Sequence, residues 1–249
     1  MRPGMTQKLV LFDIDGTLLL SGGAGRRALV AVMSALIDDP AVFDRVRFDG
    51  KTDPQIIAEL LLEAGHGPGA DSEMVERMAE RYLELLEDEL ADGGTRRGRA
   101  GDGPGTGAGP RLMPGVPELL DGLEADSRAT LGLLTGNLAR GAALKLRSVG
   151  IDPARFAVGA YGSDSPHRPD LPAIATRHAG ALFGRIPVGE EVVIIGDTPA
   201  DVTCGESIGA RAIGVATGSY SREDLEAAGA YLVVEDLADG RPVLDAIFS

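Results

Sequence analysis

The chain has 249 residues, 44% of them hydrophobic, enough for one large packed domain or for a core with a smaller partner. Its 24 Lys and Arg against 38 Asp and Glu leave a formal charge of −14, and only 4% of the residues are aromatic, with no Trp. Such a chain repels phosphate backbones, which disfavours nucleic-acid partners unless a local basic patch overrides the field.

MRPGMTQK at the start lacks the apolar stretch of a signal peptide, and no later apolar run reaches the length of a membrane span. A cytoplasmic protein without membrane partners is the expectation. The single cysteine, Cys204, cannot close an internal disulfide, and in DVTCGESIGA it reads as a small buried thiol.

In chain order, KLVLFDI is the first apolar run, followed at Asp15 and Gly16 by a strong turn signal. From about Ser21 to Leu90 the pattern turns helical. RRALVAVMSALI, DPQIIAELLLEAG and SEMVERMAERYLELLEDEL all place apolar residues three and four apart. Gly22, Gly23 and Gly25 at the entrance suit either a hinge or a plain loop. In KTDPQ, Thr52 fits a helix N-cap with Gln55 three positions on; the segment either brings Lys51 to a ligand or, through Thr52 and Asp53, simply starts the next helix. Residues 92–111 are glycine-rich and read as a mobile linker; Arg96, Arg97 and Arg99 within them lack aromatic neighbours and read as a solvated loop.

MPGVPELLDGLEA restarts helical structure. Apolar runs then alternate with amphipathic segments: ATLGLLTG, FAVGAYGS, EVVIIGD, ARAIGVATG and AYLVVED are separated by LARGAALKLRSVG, DLPAIATRHAGALFG, PADVTCGESIG and REDLEAAG. Runs that are apolar throughout suit strands covered on both faces, and the alternation predicts βαβ units around a parallel sheet. The expected organisation is an α/β core over 1–20 and 112–249, a smaller all-helical domain over 21–91 and the linker over 92–111.

Several polar residues follow these strands directly. Asp13 and Asp15 follow LVLF, Thr135 and Asn137 follow LGLL, and Asp197, Thr198 and Asp201 follow VVII. In a parallel sheet these ends share one edge, the edge at which ligands bind. Each cluster also has a purely structural reading: a turn at Asp15–Gly16, a turn at TGN, and in GDTPAD a helix start with Thr198 as cap, Pro199 first and Asp201 three residues on. Together, carboxylates gathered at one edge call for a cation, and oxygen ligands suit Mg²⁺.

FDIDGTL, LLTGN, a basic residue ahead of a helix and IIGDTPAD, in this order, resemble the haloacid dehalogenase (HAD) superfamily, in particular phosphoglycolate-phosphatase-like members with a helical cap inserted after the first strand. The resemblance runs from Lys8 to the final helix. It implies a doubly wound, Rossmann-like core with a smaller helical cap, and a Mg²⁺-dependent phosphatase acting on a small phosphorylated metabolite through an aspartyl phosphate. Asp13 then matches the nucleophile and Asp15 the general acid and base. Thr135 donates to the phosphoryl oxygens, and Arg168, in GSDSPHRPDLPAIA, stands where the family usually has lysine. The Asp13 carboxylate, the Asp15 main-chain carbonyl and Asp197 would hold the metal, backed by Asp201 and Thr198. Gly136, Asn137 and Lys51, in the cap segment FDGKTD, would contact substrate.

His66, His167 and His178 match no motif. An aspartate at position 15 favours phosphoryl transfer over carbon–halogen cleavage, which needs no proton donor. The alternatives are a phosphomutase of the same fold and a non-catalytic regulatory binding protein.

Overall fold

The computed structural model describes residues 7–66, 72–92 and 109–249. Strand β1 (Lys8–Phe12) is followed by the short β2 (Leu19–Leu20) and by four helices, α1 (Ala24–Met33), α2 (Val42–Arg45), α3 (Asp53–Glu63) and α4 (Ser72–Ala91). Then come β3 (Arg111–Leu112), α5 (Val116–Ala125), β4 (Ala129–Thr135), α6 (Ala139–Ser148), β5 (Val158–Tyr161) and α7 (Leu171–Phe183). The chain ends with β6 (Val192–Gly196), α8 (Pro199–Cys204), β7 (Arg211–Val215), α9 (Arg222–Ala227), β8 (Leu232–Val234) and α10 (Arg241–Phe248).

Six strands form one parallel sheet in the order β5-β4-β1-β6-β7-β8. Its central strand explains the unbroken apolar run: all five residues of β1 are buried. Val10 and Phe12 point into a cluster with Leu119 and Leu123 of α5, Leu146 of α6 and Val243 and Ile247 of α10. Leu9 and Leu11 point to the other face, against Leu171, Ala175 and Ala179 of α7. The chain moves outward from β1 through β4 to β5 and returns to β6 on the other flank, so the reversal lies at β1. The carboxyl ends of β1, β4 and β6 therefore border the crevice in which such sheets bind ligands.

The helices between β2 and β3 have a core of their own, with Leu29 and Met33 of α1, Phe43 of α2, Ile57, Leu60 and Leu61 of α3, and Tyr82 and Leu86 of α4. Leu138, from the segment after β4, is buried in this second core. The Thr52 cap is present: the Gln55 N–H donates to Thr52 Oγ1 at 3.2 Å. The same hydroxyl donates to the Pro166 carbonyl at 2.7 Å, fastening α3 to the sheet domain.

Two short elements escaped the sequence reading. Leu19–Leu20 pairs antiparallel with Arg111–Leu112 where the chain leaves and re-enters the sheet domain, and two residues per strand show no periodicity. Arg111, the last residue of the predicted linker, thus belongs to a strand; most of that linker, including Arg96, Arg97 and Arg99, lies outside the described residues. No described helix is long and apolar enough to cross a membrane.

Leu11 is fully buried in the central strand. Leu11→Ala should lower unfolding free energy by about 2–5 kcal/mol in urea titration, through lost burial and the cavity it leaves. A loss within the range of an exposed site would contradict this packing.

Candidate active site

Asp13 follows β1 directly, its N–H donating to the Ile195 carbonyl of β6 at 2.9 Å. The next residues fold back on themselves: Leu18 and Leu19 both donate to the Ile14 carbonyl, Gly16 N–H donates to the Leu19 carbonyl, and Gly16 has φ of 82°. The turn read from Asp-Gly is thus present. It is also necessary for the site, because a Cβ on Gly16 would stand 2.2 Å from Asp197 Oδ2. Gly218 faces the same oxygen from another side, and a Cβ there would stand 1.9 Å from it.

Asp13, Asp197 and Asp201 are all buried, and each offers a carboxylate oxygen, these atoms lying within 4.8 Å of one another. Such proximity in a dry setting penalises charge. Burial, followed by the neighbouring Asp201, pushes the Asp13 carboxyl up to about 7 against the pull of Arg168; burial, then Asp201 and Asp13, hold Asp197 well above the ordinary range against the hydrogen bond from Thr17. Asp201 is the most engaged of the three. Its Oδ2 accepts from Thr198 N–H at 3.0 Å and Thr198 Oγ1 at 2.7 Å, and its Oδ1 accepts from Arg168. The Thr198 cap and the acidic cluster are therefore the same structure, both readings of GDTPAD holding at once. Arg168 is itself buried and reaches Asp13 Oδ1 at 3.4 Å, its charge reinforced by the two aspartates despite burial.

Asp15 faces a different set of partners. Its Oδ2 accepts from Asn137 Nδ2 at 2.8 Å and from Lys145 Nζ at 2.6 Å, and Lys145 also donates to Asn137 Oδ1 at 2.6 Å. Asn137 Nδ2 further donates to Thr135 Oγ1 at 2.8 Å, so the TGN turn wires Thr135, Asn137 and Asp15 together. Lys145, missing from the sequence reading, is buried on α6; burial works against its charge, but Asp15 and Asp53 hold it raised. Lys145 lies on the same helical face as Gly141 and Ala142, a face otherwise closed to water, and it is the structure that shows which face of the helix that is.

These groups line one cavity of about 640 Å³ between the sheet edge and the helical domain, with Asp13, Asp15, Thr135, Gly136, Asn137, Arg168, Asp197 and Thr198 on one wall. Arg26, Arg45, Arg47 and Lys51 line the other, with Phe43, Phe48 and Tyr82. Lys51 Nζ is paired with Glu59. Gly136 lies directly under the Lys51 carbonyl, 2.1 Å from where its Cβ would be. Cys204 stays apart from this chemistry: it is buried, donates to the Asp201 carbonyl, and burial pushes its thiol up to about 12. His167 bonds Asp170, His178 bonds the Gly159 carbonyl, and neither they nor His66 line the cavity.

The donor set fits a hard divalent cation. Buried carboxylate oxygens converge, Arg168 is the cation paired with them among the described residues, and the glycines at 16 and 218 keep Asp197 Oδ2 clear of side chains.

Residues 166–240 match the family model described as HAD-hydrolase-like. No curated protein matches the chain. Among solved structures it is similar to a hydrolase from Pseudomonas syringae, at 24% identity and a TM-score of 0.72, covering 98% of this chain and 100% of that one. It is similar also to CbbY from Rhodobacter sphaeroides in complex with phosphate, at 20% identity and a TM-score of 0.68, over 94% of this chain and 96% of that one. A third is a predicted phosphoglycolate phosphatase from Haemophilus somnus, at 20% identity and a TM-score of 0.64, over 97% and 100%. The solved structures agree with the fold read from the sequence, and the family model agrees with the family over residues 166–240, which hold IIGDTPAD.

An Asp13 carboxyl raised from 3.8 to about 7 keeps its proton in the folded protein at pH values where the unfolded chain has lost it. Unfolding then releases a proton, so the stability of chelated protein should fall as pH rises across that window. Added Mg²⁺, by favouring the ionised carboxylates, should flatten the decline and raise Tm at neutral pH. Thermal scans from pH 4 to 7 with and without Mg²⁺ check this; a pH profile indifferent to the cation contradicts it.

Proposed function

We propose that this chain, a haloacid dehalogenase-like hydrolase in fold and in the sequence of residues 166–240, is a Mg²⁺-dependent phosphatase that hydrolyses a small phosphomonoester through an aspartyl phosphate on Asp13. The observation that carries the proposal is the division of labour at the end of β1. Asp13 lies among buried carboxylates and one arginine, whereas Asp15, two residues on, is held by an asparagine and a lysine beside the same cavity.

In the first step an Asp13 carboxylate oxygen attacks phosphorus as the bond to the leaving alkoxide breaks, and Asp15 gives that alkoxide a proton. In the second, water loses a proton to Asp15 and attacks the same phosphorus, releasing inorganic phosphate and restoring Asp13. Both bonds at Asp15 fall on Oδ2; no donor among the described residues engages Oδ1, which is the atom suited to carry the proton. The Arg168 guanidinium, fixed by Asp201, stands at 3.4 Å from Asp13 and would steady the charge on the phosphoryl oxygens, with Thr135 as a neutral donor. Mg²⁺ on the Asp13 and Asp197 carboxylates and the Asp15 carbonyl would supply Lewis-acid charge neutralisation between anionic nucleophile and anionic substrate. Lys51, Gly136 and Asn137 read as substrate-side residues, with Asn137 also orienting Asp15. On the opposite wall Arg26 is paired with Asp44 and Arg45 with Asp39 and Glu63, whereas Arg47 donates to the Tyr220 hydroxyl and is the arginine there best suited to an anionic metabolite.

The same Asp13 and Asp15 would serve a phosphomutase, which returns the phosphoryl group to the organic product instead of giving it to water. Net phosphate release from a single substrate separates the two, and turnover of any kind excludes a purely regulatory binding role.

Asp13→Asn should cut phosphate release by about 10³-fold or more, since no other group at the end of β1 replaces the nucleophile. Tm of the chelated variant should stay level or rise, because a buried carboxyl raised by its neighbours is replaced by a neutral amide. A panel of phosphorylated metabolites assayed for phosphate release, with and without chelator, checks both; wild-type rates in Asp13→Asn would overturn the mechanism.

A further inference from the structure

Helix α6 connects the two halves of the molecule. Its preceding residue, Leu138, has no side chain able to accept a hydrogen bond, so the helix lacks a cap of its own. Two side chains from elsewhere serve it instead: Ser163 Oγ accepts from Ala139 N–H at 2.9 Å, and from the other domain Asp53 Oδ2 accepts from Leu138 N–H at 2.9 Å, while Asp53 N–H donates to the Gly136 carbonyl at 2.8 Å. Asp53 is the first residue of α3, in the helical domain.

Packing around this two-way bond is close. The Leu138 side chain is buried in the helical domain's core. A Cβ on Gly136 would stand 2.1 Å from the Lys51 carbonyl, and one on Gly162 would stand 2.2 Å from the Gly136 carbonyl, so three backbone segments stack with no room for side chains. The segment so clamped carries Asn137, and two turns along the same helix lies Lys145. These two residues converge on Asp15 Oδ2.

We infer that Asp53 is a positioning residue, capping α6 from the opposite domain and thereby making the placement of Asn137 and Lys145 on Asp15 conditional on docking of the helical domain. The inference rests on Asp15 being the proton-transfer residue of the proposed phosphatase. With the helical domain lifted, Leu138 N–H and Asp53 lose each other, the start of α6 is left with the Ser163 hydroxyl on Ala139 N–H alone, and Asp15 loses its fixed orientation. The proton donor is then assembled only over an enclosed substrate, which links selection of substrate to the chemical step. The charges agree with this coupling, since Asp53, Lys145 and Asp15 all lie within one another's field.

Two esters of similar shape separate this role from general damage. Phenyl phosphate needs a proton on its leaving oxygen far more than p-nitrophenyl phosphate does. In Asp53→Ala, kcat/KM for phenyl phosphate should fall about tenfold or more beyond the loss for p-nitrophenyl phosphate. Asp53→Asn, whose amide oxygen still accepts from Leu138, should restore most of the difference. Hydrogen exchange supplies a readout free of activity: the Leu138 amide should be protected in the wild type and in Asp53→Asn, and unprotected in Asp53→Ala. Equal losses on the two esters, or equal Leu138 protection with and without the Asp53 side chain, would overturn the inference. If Asp53→Ala does not fold, fast Leu138 exchange in the wild type overturns it and slow exchange lost in a second capless variant, Asp53→Val, upholds it. A wild type that releases phosphate from neither ester and from no member of the metabolite panel, while Leu138 protection depends on Asp53, would refute the phosphatase reading and leave the cap standing.

Discussion

Three carboxylates, Asp13, Asp197 and Asp201, are buried at the ends of adjacent strands with an oxygen of each within 4.8 Å of the others, and most of the local architecture answers the cost of holding them there. Arg168 is drawn in to bridge Asp201 and Asp13. Thr198 spends its hydroxyl and its amide on Asp201 while starting α8. Thr17 donates to Asp197 at 3.1 Å, and Gly16 and Gly218 give that side chain its space. What these contacts leave is a pair of crowded carboxyls, Asp13 and Asp197, on the cavity wall, a donor set whose ionised form a divalent cation would favour.

The two aspartates of FDIDGT are separated by one isoleucine yet inhabit different electrostatic surroundings. Asp13 faces carboxylates and an arginine; Asp15 faces an amide and an ammonium. Two residues apart in a chain that turns at Gly16, they project to different partners, which allows one to serve as nucleophile and the other as proton carrier. Two buried cations are divided between them: Arg168 stands beside Asp13 and Asp201, and Lys145, from α6, stands beside Asp15.

Much of this could be read from the residues. Continuous apolar runs such as KLVLF and VVII announced strands buried on both faces, and their shared orientation in a parallel sheet was enough to bring Asp13, Thr135 and Asp197 to one edge. GDTPAD was legible as a helix start and as part of an acidic cluster, and it is both. Lys145 was overlooked because a lone lysine within LARGAALKLRSVG looks like ordinary helix surface until the buried phase of the helix is known. Asp53 was legible as part of a helix start, which it is, but its bond to an amide 85 positions away in the other domain was not, because local spacing carries no record of such a pairing. The β2–β3 clasp is illegible in the same way, since its two short strands are joined only by pairing across the inserted helices.

The account depends most on covalent chemistry at Asp13. Acid quenching of the enzyme during turnover of a phosphomonoester in Mg²⁺, followed by mass spectrometry of the peptide containing LVLFDIDGTL, tests it directly. The account predicts an added phosphoryl group on Asp13, lost on mild alkaline treatment and absent in Asp13→Asn. Turnover with that peptide unmodified at every quench time, or with the phosphoryl group on another residue, would contradict it.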